Sequence, residues 1–154
     1  MITFTNMLCL DPGLTTGYAI FGLGAEQPLT LIECGQIAGG LEGVVRFIME
    51  NEIDTFEHLV SESFVLDGRT PKPEVEPLRI EGALKALAAL AHAPTPVFQR
   101  NIYKRHAPDE LLKRAELYQR GKPHANDAIR HGIAWAKTHG HLPTIKWLWP
   151  PIAG

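Results

Sequence analysis

Cysteine is scarce, long apolar runs are missing and the net charge is nearly zero. The two cysteines of the 154-residue chain, Cys9 and Cys34, both fall in apolar, strand-like segments, where packed, reduced thiols are expected rather than a disulfide. No apolar stretch approaches the ~18 residues that a membrane-spanning helix needs. Met1-Ile2-Thr3-Phe4 lacks the charged and apolar regions of a secretory leader. These absences point to a cytoplasmic location with no membrane partner. The length and a hydrophobic content of 45% suit one domain with a real core.

A net charge of −2 does not by itself suggest a nucleic-acid partner, but its distribution is uneven. Residues 1–98 hold 5 Lys and Arg against 13 Asp and Glu, whereas residues 99–122 hold 7 against 3. The basic residues of that segment include Lys104, Arg105, Lys113, Arg114, Arg120 and Lys122. Such a stripe either tracks phosphates or is a solvated helix face of mixed charge.

Along the chain, Met7–Leu10 is a short apolar run ending in Asp11, which reads as a buried strand. Pro12-Gly13 breaks it, Tyr18–Phe21 returns as a hairpin partner, and Leu29–Ile37 continues an antiparallel meander. After Gly39-Gly40 the period changes, and Leu41–Asn51 fits an amphipathic helix. His58–Glu62 is a fourth strand, again closing on a carboxylate. The Pro-, Gly- and charge-rich stretch from Asp67 to Pro73 marks a loop. A helix over Pro77–His92, a short strand over Thr95–Gln99, partly helical structure over Ile102–Arg120 with a start near Pro108, and a last helix over His124–His139 complete the order. Leu142–Gly154 reads as a Trp- and Pro-rich tail. The order implies an α/β layer architecture with a five-stranded mixed sheet.

Chemistry is concentrated in acids at strand ends. Asp11 and Glu62 each close an apolar strand, where a carboxylate is costly unless it meets a cation, a metal or hydrogen-bond donors. His124 and Asp127, three apart at the start of the last helix, project from one face. Taken singly, each has an ordinary role: a turn former, an edge-strand acid, a helix cap or a loop histidine. Together they offer oxygen and nitrogen ligands from separate segments, suited to Mg²⁺ or, with the histidine, to Mn²⁺. His131, four residues after Asp127, reads as a packed helix histidine, with support of the site as the other option.

The stretch from Cys9 to Ile20 resembles the opening motif of the RuvC Holliday-junction resolvases: a strand ending in Asp11-Pro12-Gly13, a spacer, then Thr16-Gly17-Tyr18 and a second strand. Ser61-Glu62-Ser63-Phe64 is similar to the family's second acidic motif, and His124-Ala125-Asn126-Asp127-Ala128 to its closing motif. The resemblance spans roughly residues 7 to 139. It implies an RNase H-like fold and a homodimeric endonuclease that resolves Holliday junctions in DNA recombination and repair. Asp11, Glu62, His124 and Asp127 would be both catalytic and metal-binding, holding two Mg²⁺ or Mn²⁺ ions. The compact, divergent sequence suggests a bacteriophage version, placed in the host cytoplasm.

On that reading two ions about 4 Å apart would activate water and stabilise the leaving oxygen, with Asp11 as the shared ligand. Phe64 is the candidate for contact with junction bases, or is core. Arg69, Lys72, Lys104, Arg105, Lys113, Arg114 and Lys122 are candidate phosphate contacts. Rival readings are a nuclease of the same fold acting on RNA, flaps or forks, a non-catalytic DNA-binding module, and an actin-like ATPase fragment. The chain is short for the two lobes of the last.

Overall fold

A computed structural model describes residues 5–66, 68–69, 71 and 74–152. Its centre is strand β1 (Thr5–Asp11), which pairs antiparallel with β2 (Thr15–Leu23) and parallel with β4 (His58–Glu62). β3 (Thr30–Ala38) adds to β2 antiparallel, and β5 (Val97–Gln99) adds to β4 in parallel, giving the order β3-β2-β1-β4-β5. The meander and the two parallel strands expected from the sequence are both present.

The continuous apolar run of β1 follows from its position, because a strand covered on both faces has no solvent side on which to place polar residues. Met7 and Cys9 enter one core, with Phe21, Ile129 and Ile133. Leu8 and Leu10 enter the other, with Val44, Ile80 and Leu84. The second core is roofed by α1 (Gly40–Glu50) and α2 (Glu76–Leu90). The first is roofed by α3 (Asp109–Arg114), α4 (Pro123–Thr138) and α5 (Leu142–Leu148). Cys9 is buried, Cys34 is half-buried, and both are free thiols. Among the described residues no helix is long and apolar enough to cross a membrane.

The basic stretch is helical in part, with a 3-10 turn over Asn101–His106 and α3 starting just after Pro108 as expected, but the helix stops at Arg114. Pro108 precedes the first turn of α3. Glu116, at φ 59°, ends it in the left-handed region, with the Leu117 N–H donating back to the Leu112 carbonyl at 2.8 Å. The chain then runs irregularly to α4, pinned by Asn126, whose side chain accepts the Gln119 N–H at 2.8 Å and donates to the Gln119 carbonyl at 2.9 Å. The Trp- and Pro-rich tail contains a helix that the sequence did not suggest, α5. Buried Thr144 accepts the Leu29 N–H at 2.9 Å, Leu148 lies in the core, Trp149 packs against it, and Lys137 sits 4.6 Å over the Trp149 ring. Pro143 sits in the first turn of α5, where its missing N–H costs nothing.

Candidate metal centre

Register builds the site. Leu10 of β1 pairs with Ser61 of β4, so the next residue of each parallel strand, Asp11 and Glu62, emerges side by side at the open end of the sheet. Helix α4 brings its first turn to the same place, and Gly17 makes that approach possible. A Cβ at Gly17 would lie 1.8 Å from the His124 carbonyl oxygen, so only a glycine admits the helix so close to β2. Gln36 of β3 adds a second tie by accepting the His124 N–H at 3.0 Å.

These elements enclose a cleft of about 440 Å³ lined by Asp11, Glu62, His124, Asp127, Lys104 and Phe64, among others. The His124 ring Nδ1 is 3.0 Å from Asp11 Oδ2. Lys104, from the 3-10 turn, places its ammonium 3.4 Å from both Glu62 oxygens and 3.1 Å from Asp127 Oδ2. Arg130, one turn along α4, donates to Asp127 Oδ1 at 2.7 Å, to the Ala107 carbonyl at 2.9 Å and to Asp109. Asp127 is therefore held from two sides.

The electrostatics are those of acids crowded into a small space. Burial, followed by the hydrogen bond and charge of Glu62 and the charge of Asp127, pushes the Asp11 carboxyl up to about 9 against the opposing pull of Lys104. Burial works against ionisation of Glu62 too, but the neighbouring His131 ring, the Asp11 carboxyl and the Lys104 charge hold it down to about 2. The pair thus shares one proton, resting on Asp11. Burial alone would lower the Lys104 pKa, yet the charges of Glu62 and Asp127 raise it.

The donor set of three carboxylates and an imidazole is one that Mg²⁺ or Mn²⁺ accepts. Among the described residues no three such side chains are already gathered as an ion cage. The spacing is that of a cluster neutralised internally, by the Lys104 ammonium and by the proton on Asp11. Chemistry and convergence fit a divalent cation, with Lys104 standing in as the cluster's own counter-charge.

No protein-family model matches the sequence, and neither does any curated protein. Solved structures do match. RuvC of T. thermophilus in complex with Holliday junction substrate superposes with a TM-score of 0.68 at 14% identity, covering 90% of this chain and 98% of that one. Thermus thermophilus RuvC alone gives 0.61 at 17% identity, covering 89% and 98%. The Fowlpox virus resolvase with substrate Holliday junction DNA gives 0.60 at 12% identity, covering 86% and 99%. The fold is that of the RuvC resolvases.

On this RuvC-type framework the remaining candidates fall in different places. Phe64 is half-buried in the cleft wall and belongs to neither core. Arg69 is exposed in the loop after β4, and Lys72 lies outside the described residues. Arg105 and Lys122 are exposed. Lys113 sits 4.8 Å over the Tyr118 ring, and Arg114 donates to the Leu148 carbonyl at 2.6 Å, tying α3 to α5. Lys104 is bonded to the acidic cluster.

Sequence reasoning missed Arg130, Gln36 and Glu74. Arg130 was marked only by its spacing of three from Asp127. Gln36 gave no local sign. Glu74 accepts the Leu14 N–H at 2.9 Å beside the cleft, across 60 residues of chain, a contact that no periodicity announces.

Proposed function

We propose that the protein is a metal-dependent endonuclease that resolves Holliday junctions and related branched DNA by paired phosphodiester hydrolysis. The observation that carries this reading is the convergence of Asp11, Glu62, His124 and Asp127, from three distant segments, on one cleft at the sheet's open end. The RuvC-type fold, shared with resolvases bound to junction DNA, supports the choice of substrate.

In this proposal the four side chains hold two Mg²⁺ or Mn²⁺ ions. Ions held there would supply the means to activate a water and to stabilise the leaving 3′ oxygen. Asp11, flanked by Glu62 on one side and His124 on the other, would be a ligand and would have to give up its proton on ion binding. Lys104, paired with Glu62 and Asp127 in the ion-free protein, would then be free to meet a DNA phosphate. Arg130 keeps Asp127 in place while this happens. Phe64, on the cleft wall, is positioned to meet an exposed base. Arg69, Lys72, Arg105, Lys113, Arg114 and Lys122 are further candidate phosphate contacts. Of these, Arg114 is the weakest, because its guanidinium is engaged with α5. A two-fold symmetric junction needs two nicks, so the working unit is taken to be a homodimer.

The test is cleavage of a labelled four-way junction, forks and linear duplex side by side, with Mg²⁺, Mn²⁺ or EDTA. The expected result is ion-dependent paired nicking of the junction, lost by at least three orders of magnitude in Asp11→Asn, the scale set by removing a central catalytic group. Light scattering should give twice the chain mass on the junction. Wild-type cleavage by Asp11→Asn, or in EDTA, contradicts the assignment, and a monomer on the junction contradicts the dimer.

A further inference from the structure

His131 lies on α4, one turn beyond Asp127, and is wholly buried. Neither of its ring nitrogens has a hydrogen-bond partner among the described residues. A buried polar group left in that state destabilises the fold, a cost that leucine or phenylalanine would avoid. The ring is nonetheless aimed at something, because Nε2 is 3.5 Å from Glu62 Oε2. That is a close electrostatic approach, slightly too long to be a hydrogen bond.

The backbone of the same residue is also engaged. Buried Gln99 donates from Nε2 to the His131 carbonyl at 2.9 Å, and Gln99 is the direct cross-strand partner of Glu62. Two adjacent strand residues thus grip one helix residue, Gln99 through its main chain and Glu62 through its ring. This closed loop fixes the end of β4 against α4, and with it the placement of Glu62 relative to Asp127. In front, Lys104 holds both Glu62 oxygens at 3.4 Å. Behind, His131 is the contact that stays when Lys104 moves away.

We infer that His131 is a positioning residue for Glu62, keeping the carboxylate oriented towards the cleft through the approach of Nε2. The inference rests on the reading of Glu62 as an ion ligand. It gives the buried imidazole a role that packing alone does not, since both nitrogens would be a liability in a purely apolar site.

The test uses the full chain without DNA and follows Mn²⁺ binding by calorimetry, with single-turnover junction cleavage as a second readout. His131→Phe keeps ring bulk and removes both nitrogens, whereas His131→Gln carries an amide nitrogen towards the Nε2 position. The expected result is a loss of Mn²⁺ affinity of about tenfold or more in His131→Phe, the usual scale for a residue supporting a ligand, and recovery to within about threefold in His131→Gln. Thermal stability of the ion-free His131→Phe protein should be equal to or above that of the wild type.

Wild-type Mn²⁺ affinity in His131→Phe overturns the inference, as does His131→Gln binding no better than His131→Phe. Should His131→Phe fail to fold, His131→Leu is measured with and without Glu62→Gln. An effect that vanishes in the Glu62→Gln background supports positioning, and an additive effect contradicts it. The two readings fail separately. A wild-type protein that binds no Mn²⁺ defeats the proposed function and the inference together. Wild-type binding that Asp11→Asn removes and His131→Phe spares defeats only the inference.

Discussion

A carboxyl that holds its proton to about pH 9 is a burden on the fold that carries it. In the unfolded chain Asp11 ionises near its ordinary value of 3.8, whereas in the folded, ion-free protein it keeps the proton until about 9. The folded state therefore binds the extra proton, and this contribution to stability is complete below pH 4 and disappears as pH rises towards 9. Glu62 acts at the other end, because its stabilising ionisation is present above 4.5 and lost as pH falls towards 2. Ion-free wild-type protein should thus melt at progressively lower temperature from pH 5 to pH 9. Asp11→Asn, which cannot ionise, should flatten that slope and raise the midpoint at pH 8 by at least ~5 °C, since even ~2 kcal/mol, well under what the full shift implies, moves the midpoint that far in a chain of this length. Thermal melts in EDTA across that range check it, and an unchanged slope in Asp11→Asn counts against the shared proton. A divalent ion should reverse the burden, stabilising wild type and not the variant.

Elements reach the site only because they pack closely, and Gly17 is where that packing is tightest. Its absent side chain lets α4 lie against β2 so that His124 comes within 3.0 Å of Asp11. Gly17→Ala should force the helix outwards and destabilise the protein by about 3 kcal/mol, the upper range for overpacking, with junction cleavage lost as well. Urea denaturation checks the first part, and a wild-type midpoint contradicts the account of how α4 is seated. The same elements show what was legible beforehand. Strands β1 and β4 were readable because an apolar run that stops at an acid is visible locally, and α4 because His124 and Asp127 obey helical spacing. The break after α3 was not, since it depends on Glu116 adopting a left-handed conformation that its sequence neighbours do not demand. Helix α5 was hidden by its shortness and by Pro143 and Pro150. What makes it part of the core is Thr144 reaching Leu29, a contact across 115 residues.

For the molecule as a whole, the sheet order and the four candidate ligands were legible, whereas the cations that balance them were not. Lys104 stood out only as one basic residue in a segment of seven, and nothing local showed that its ammonium would lie between Glu62 and Asp127. Arg130 was marked only by its spacing from Asp127, and for His131 the sequence left support of the site as an option without showing its partner, Glu62, which lies across the fold. The RuvC-type sheet explains the pattern. Adjacent parallel strands deliver their terminal acids to one edge, and α4 crosses that edge, so the candidate ligands are marked by local sequence while the cations beside them come from wherever the fold passes. Whether the cleft so built receives divalent ions can be seen directly by soaking crystals of the wild-type protein in Mn²⁺ and measuring anomalous diffraction at the manganese edge. Anomalous density is expected within the cleft among Asp11, Glu62, His124 and Asp127, with Lys104 moved away from the carboxylates. A cleft without density, its Lys104 contacts intact at a Mn²⁺ concentration that supports cleavage, would contradict that expectation.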